Sequence, residues 1–91
     1  MSDTKYTRAA PLLEAEIDDE IVGLDREQGK VFGFNGVASE VWRLLAQPQS
    51  LAQLCARLQE TYSVDAAQCE EDVTGLIEQL SDMGLVRRVE G

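Results

Sequence analysis

Residues 21–45 constrain the fold most, because they predict a β-hairpin that runs directly into a helix. Residues 21–24 form an apolar run, and residues 30–34 alternate large side chains with small or charged ones, as strands do. The five residues between these runs have turn composition, and their glycine can adopt the positive φ that a bulged hairpin loop needs. Asn35 can then cap the helix that follows. This stretch predicts a strand at 30–34 joined closely to a helix.

A further strand is predicted just before this hairpin. Residues 13–17 alternate apolar and acidic side chains, a period of two that predicts a strand whose apolar residues Leu13, Ala15 and Ile17 face the core. Asp18 and Asp19 can form a tight turn into the next strand. The three strands would form an antiparallel meander with residues 30–34 at one edge. Residues 1–11 are polar and unpatterned, so we expect a flexible segment there and a single domain over residues 12–91.

Three helices are predicted to follow the strands. The first covers about residues 36–46 and ends before Pro48, since a residue that precedes proline avoids the helical region. Ser50 and Gln53 form a capping-box pair for the second helix, and Asp65 can cap the third. Gly84 suits the position just past a helix end. The chain is therefore predicted to be an α+β protein of winged helix-turn-helix type, with a three-stranded antiparallel sheet followed by three helices.

The strand at residues 30–34 would leave one row of backbone N–H and C=O groups without a partner. Such an edge can receive an extended peptide as an added strand, with neighbouring pockets providing side-chain selectivity. We expect a groove beside the edge with an acidic group, Asp72, on its rim. Its predicted floor and far wall are apolar: Phe32 and Phe34, then Val73, Leu76 and Leu80. The residues of the edge itself are Lys30, Val31, Phe32, Gly33 and Phe34.

Charge and hydropathy disfavour several classes of partner. Seventeen acidic and eight basic residues give a formal net charge of -9 without any histidine, a field that repels nucleic acids and anionic lipids. The third helix contains acidic residues and no Lys or Arg, which also argues against a DNA-binding regulator, the alternative that the fold class suggests. No apolar segment approaches the length of a membrane span, and no signal peptide is recognisable. We therefore expect a cytoplasmic protein.

Residues for catalysis are sparse. The chain has no histidine to serve as a base and no glycine-rich phosphate loop, so we do not expect an enzyme. Cys55 and Cys69 lie on the apolar stripes of two predicted helices and are expected to be small buried side chains in a reducing compartment. Two thiols without histidine make a metal site improbable, and we expect no cofactor.

The order and spacing of many apolar and turn residues resemble the pyrroloquinoline quinone biosynthesis protein D family, whose members are precursor-peptide recognition elements. The resemblance extends over roughly residues 12–89. The residues that carry it are Leu24, Asp25, Gly29, Phe32, Phe34, Asn35, Ala38, Val41, Trp42, Leu44, Leu45, Leu54, Leu58, Tyr62, Asp72, Val73, Leu76, Leu80, Gly84 and Leu85.

This resemblance implies a non-catalytic adaptor that binds the leader segment of a ribosomally synthesised precursor peptide and presents it to a modifying or processing enzyme. In such proteins the leader lies along the third strand and packs on the third helix. Transferred to this chain, the helix residues are Cys69, Asp72, Val73, Leu76 and Leu80.

The chain most resembles the stand-alone recognition proteins of lasso-peptide clusters, whose implied partner is a leader peptidase. Its first strand lacks the arginine and aromatic residues associated with pyrroloquinoline quinone synthesis. That pathway, or another radical-SAM peptide modification, is the alternative within the family. A structural subunit of a larger complex is another alternative. We expect a monomer, with a homodimer through the open edge as the other state.

Overall fold

The computed structural model describes residues 4–9 and 12–90 and has an α+β architecture. A three-stranded antiparallel sheet and three helices confirm the predicted fold class. In chain order, the elements are β1 (Thr4–Arg8), β2 (Leu13–Ile17), β3 (Glu20–Asp25), β4 (Lys30–Gly33), α1 (Gly36–Leu44), β5 (Gln49–Ser50), α2 (Leu51–Thr61), α3 (Ala66–Asp82) and β6 (Val86–Glu90).

The predicted meander is present as the sheet β2-β3-β4, with β3 in the middle. Asp18 and Asp19, in the turn between β2 and β3, both have positive φ, 51° and 68°. Tight two-residue hairpins favour such a turn because its twist matches that of the strands. Gly29, before β4, also has positive φ, 67°, as the turn chemistry predicted. β4 ends at Gly33, one residue earlier than expected.

A second sheet, in the order β5-β1-β6, corrects the prediction of a flexible segment over residues 1–11. Thr4–Arg8 forms a strand that pairs antiparallel with Val86–Glu90 along its whole length. The prediction was wrong for these residues because their partner lies near the other end of the chain, and local composition does not show such pairing. The folded domain therefore includes β1 and does not begin at residue 12. Residues 1–3 and 10–11 lie outside the described residues.

The orientation of β2 is also a correction. Glu14 and Glu16 face α1, where Glu14 accepts a hydrogen bond from Trp42 Nε1 at 3.0 Å and Glu16 pairs with Arg43. The apolar residues of β2 instead face outward: Leu13 is 54% exposed and Ile17 is 59% exposed. The period of two was correct, but the assignment of the two faces was wrong.

All three helices begin with the predicted caps. The Asn35 side chain accepts from the Ala38 N–H, Ser50 and Gln53 form the reciprocal capping box, and Asp65 accepts from the first turn of α3. At the end of α3, Gly84 has a φ of 76°. The next residue, Leu85, donates its N–H to Leu80 O at 2.9 Å, which is the main hydrogen bond of a Schellman motif.

The core lies between the meander and the helices and is centred on Trp42, which is fully buried. The Trp42 ring stacks on Phe34 with ring centroids 5.4 Å apart. Leu85 and Val86, which follow α3, are also buried. In the part of the chain that the structure describes, no helix is long and apolar enough to span a membrane.

Candidate functional site

The outer side of β4 is open, and the ladder with β3 shows which residues face it. The Phe34 N–H donates to Ile21 O in β3 at 2.9 Å. Because hydrogen-bonded and non-bonded positions alternate along an antiparallel strand, Phe32 also points its backbone groups at β3. The N–H and C=O groups of Val31 and Gly33 therefore point away from the sheet. Within residues 4–9 and 12–90, no strand pairs with this side of β4.

A buried serine ties the end of this edge to α1. Ser39 is fully buried, and its Oγ accepts the Ile21 N–H at 2.8 Å while donating to Phe34 O at 3.1 Å. The hydroxyl thus lies between the Ile21 N–H and the Phe34 C=O, which would otherwise form a direct hydrogen bond between the two strands. It explains why β4 ends at Gly33, and it connects the end of the edge to α1.

The predicted site residues fall into three classes by exposure. Lys30, Val31, Gly33 and Asp72 are exposed. Phe32 and Leu76 are half-buried and pack against the core. The other four are core residues: Phe34, Cys69, Val73 and Leu80. The first two classes are accessible to a bound molecule, and the four core residues are not.

A small apolar cavity of about 110 Å³ joins part of the predicted site to residues that sequence reasoning did not assign to it. Cys69, Asp72 and Val73 from α3 contribute to its lining. Its remaining lining residues are Val37, Leu58, Tyr62 and Val64. The cavity lies beyond the C-terminal end of β4, since Val37 is in the first turn of α1. An apolar side chain of an added strand is the kind of group that fits there.

Two of the missed residues are exposed despite their apolar bulk. Val37 is 40% exposed and Tyr62 is 37% exposed. Val37 lies just after the Asn35 cap and off the apolar stripe of α1. An apolar residue outside the stripe is the sequence signal that would have indicated an exposed binding position. Tyr62 lies at the C-terminal end of α2, outside the core.

The exposed side of α3 carries several carboxylates. The Asp72 carboxylate is exposed and accepts a hydrogen bond from Gln68 Nε2 at 2.9 Å. The remaining acidic residues of α3 are also exposed: Glu70, Glu71, Glu78 and Asp82. The field along α3 therefore favours a peptide that carries a basic group.

Cys69 lines the cavity and Cys55 lies next to Cys69, and both thiols are free. Burial, together with the adjacent Cys69 side chain, raises the pKa of the Cys55 thiol to about 11. A thiol with such a pKa stays protonated at neutral pH and is a poor nucleophile or metal ligand. The open backbone edge of β4 and the apolar cavity are suited to hydrogen bonds from an extended chain and to apolar contacts.

Comparisons with known proteins find solved structures that have the same fold. A solved structure of TbiB1 in complex with the TbiA(beta) leader peptide superposes with a TM-score of 0.79 at 28% sequence identity, covering 89% of this chain and 94% of that chain. A lasso peptide synthetase B1 complexed with its leader peptide has the same fold, with a TM-score of 0.77 at 23% identity, covering 90% of this chain and 96% of that chain.

A comparison with curated proteins found no match. Residues 20–86 match the family model described as Coenzyme PQQ synthesis protein D (PqqD). This range contains the open strand, all three helices and every predicted site residue. Since the match extends over well more than half of the chain, the protein belongs to the PqqD family.

Proposed function

We propose that this protein binds the leader segment of a ribosomally synthesised precursor peptide as an added strand on β4 and delivers it to a processing enzyme. The observation that carries the proposal is the outer side of β4, where the backbone groups of Val31 and Gly33 point outward. Two donors and two acceptors at this spacing fit the alternating pattern of a neighbouring strand. Gly33 adds no side chain, and a Cβ there would contact nothing within 4 Å.

The surface beside the edge supports the same function. Side chains on one face of an added strand would meet Phe32 and Leu76, which are half-buried. A further apolar side chain would enter the cavity beside Asp72 and Val73. Backbone pairing alone is blind to sequence, so these contacts would provide the choice of leader.

The processing enzyme that we favour is a lasso-peptide leader peptidase. The support is that TbiB1, at 28% identity, was solved with a leader peptide and that the other neighbour is a lasso peptide synthetase B1. We propose an adaptor without catalytic activity, in line with the raised thiol pKa and the absence of histidine. Two free thiols also suit a reducing cytoplasm, where we place the protein.

Proline at the edge tests the proposal. In Val31→Pro the lost N–H points outward, so the sheet keeps its internal ladder and the protein should fold with stability within about 1 kcal/mol of the parent. Binding of a fluorescently labelled leader, measured by polarisation, should weaken at least about tenfold, because one donor is lost and the ring obstructs the edge.

Two matched variants control this experiment. Val31→Thr keeps the N–H and should bind the leader nearly as the parent does. Phe32→Pro removes an N–H that points at β3, so it should lower the unfolding free energy instead. If Val31→Pro binds the leader as tightly as the parent, strand addition at β4 is wrong.

A further inference from the structure

The second sheet also has an open edge, on the outer side of β6. The Ala9 N–H donates to Leu85 O at 2.8 Å, in register with the ladder between β1 and β6. Since bonded and non-bonded positions alternate along an antiparallel ladder, Arg87 points its backbone groups at β1 and Arg88 points its own away from the sheet. Among the described residues, no strand pairs with this side of β6. It is called the β6 edge below.

The shape of β6 leaves this edge accessible. At the opposite edge of the same sheet, β5 has two residues and leads directly into α2, so little free backbone remains there. β6 has five residues and pairs with β1 in an unbroken register. Very short strands, proline and bulges are means by which proteins block an edge. Over its residues Val86–Glu90, β6 has none of these three features.

Positive charge collects at the β6 edge, although the chain as a whole has a net charge of -9. Arg87 and Arg88 are exposed. Lys5 on β1 is half-buried and lies diagonally across from Arg87 on the same face, because paired residues share a face and so do alternate residues of a strand. None of the ion pairs among the described side chains involves these three residues. Their charges are therefore available to an anionic ligand.

The two arginines lie on opposite faces of the sheet. Arg88 is paired with Tyr6 and shares its face, whereas Arg87 is paired with Thr7 and shares the other face. A strand added to the β6 edge would alternate its side chains in the same way. Two consecutive residues of that strand would therefore lie beside the two arginines, one on each face. The side chains that complement guanidinium groups best are carboxylates.

From this arrangement we propose that the β6 edge binds an extended segment of a partner protein that carries two adjacent acidic residues. The outward N–H and C=O of Arg88 pair with the backbone of the added strand, and the two carboxylates meet the two guanidinium groups. Charge complementarity selects the segment, since a backbone ladder alone accepts any sequence. This second site is separate from the proposed leader site on β4.

A second copy of this chain fits the β6 edge less well. Its β6 carries the same arginines and its β4 begins with Lys30, so pairing with either strand would place like charges together. Its β2 edge carries Glu14 and Glu16, which share one face because they are alternate residues. Both carboxylates already accept hydrogen bonds from side chains of α1. They do not match two arginines on opposite faces.

The leader is also a poorer occupant of the β6 edge. The groove beside β4 is bordered by the exposed carboxylates of α3, which favour a peptide with a basic group. The β6 edge favours an acidic segment. The two open edges therefore select chains of opposite charge, which is the reason for assigning the β6 edge to a different protein.

The test uses the full chain and a short fluorescent peptide in which valine and threonine alternate around a central pair of glutamates. A control peptide has glutamines in place of the two glutamates. The glutamate peptide should bind the parent at least about threefold more tightly than the control, and added salt should reduce this difference. In an NMR titration with the glutamate peptide, the Arg88 amide should shift and become protected from hydrogen exchange.

Variants separate the contribution of charge from that of the backbone. Arg87→Gln/Arg88→Gln removes both charges, so the two peptides should bind it equally. Arg88→Pro also removes the outward N–H and should bind the glutamate peptide more weakly than Arg88→Gln does. Arg57→Gln, at an exposed position of α2, is the matched control and should bind the glutamate peptide as the parent does. Circular dichroism checks that each variant is folded.

Each alternative outcome overturns the proposal in a distinct way. Equal affinity of the parent for the two peptides, or parental affinity of Arg87→Gln/Arg88→Gln for the glutamate peptide, shows that the edge does not select acidic segments. A labelled leader whose binding shifts the Arg88 amide and is weakened by Arg88→Pro assigns the edge to the precursor peptide. Sedimentation that shows a dimer of the parent and a monomer of Arg88→Pro assigns the edge to a second copy.

Discussion

At the scale of single residues, Trp42 connects three parts of the chain. Its ring is stacked on Phe34, the Arg8 guanidinium lies 4.6 Å from its centroid, and its Nε1 donates to Glu14. Arg8 also donates to Trp42 O through Nε and a terminal nitrogen, at 3.0 and 2.7 Å. A buried indole N–H needs an acceptor, and this need explains why an acidic residue of β2 faces inward.

The two glutamates of β2 should therefore differ in their effect on stability. Glu14→Ala leaves the Trp42 N–H without its acceptor and should lower the unfolding free energy by about 1 to 3 kcal/mol. Glu16→Ala removes an exposed ion pair with Arg43 and should cost no more than about 1 kcal/mol. Urea denaturation of both variants measures the difference. Equal costs would contradict the inward role of Glu14.

At the scale of elements, the hairpin β3-β4 and the helix α1 act as one unit. The Asn35 cap starts α1 two residues after β4 ends. One turn later, Ser39 bonds back to Ile21 of β3 and to Phe34, the residue just after β4. This connection gives the open edge a fixed position relative to the helices. A preorganised edge lowers the ordering cost of binding an extended peptide.

Ser39→Ala tests this coupling. Removing the buried hydroxyl leaves the Ile21 N–H and the Phe34 C=O without their partner, and the unfolding free energy should fall by about 1 to 3 kcal/mol. Amide hydrogen exchange at Ile21 should become faster than in the parent. Ser81→Ala, at an exposed position of α3, is the matched control and should change the stability by less than about 0.5 kcal/mol. An unprotected Ile21 amide in the parent would contradict the proposed hydrogen bond.

At the scale of the whole molecule, the two sheets connect the ends of the chain to the core. β1 pairs with β6 over five residue pairs and with β5 over two. The buried Thr7 hydroxyl donates to Leu45 O at 2.9 Å. Through Arg8, β1 also contacts both α1 and β2. The N-terminal strand is therefore a structural part of the folded domain.

Removal of residues 1–9 should accordingly destabilise the whole domain. The truncated protein loses the ladder to β6 and the hydrogen bonds of Thr7 and Arg8, so its unfolding free energy should fall by roughly 3 kcal/mol or more. Amides of β6 should lose their protection from hydrogen exchange. Arg8→Gln keeps the ladder and should show a smaller loss. An unchanged urea midpoint for the truncated protein would show that β1 adds nothing to stability.

Much of the fold was predictable because its signals are local. The caps at Asn35, Ser50 and Asp65, the turn at Gly29 and the helix stop at Gly84 each depend on residues within one turn of chain. The sequence also predicted correctly that Phe32 and Phe34 lie on the same side of the sheet, because both are apolar and alternate residues of a strand share a face. Val37 and Tyr62 were missed at the cavity because their exposure depends on how three helices meet.

By itself, the sequence determined the meander, the three helices and the identity of β4 as an edge strand, because periodicity and capping act between near neighbours. Only the tertiary structure decided that Glu14 faces inward and Leu13 outward, since the alternation of β2 is the same in either orientation. The choice followed from the buried Trp42 N–H and the Arg8 guanidinium. The tertiary structure also decided that Thr4–Arg8 is a strand, because its partner lies about eighty residues away and only the folded chain brings the two together.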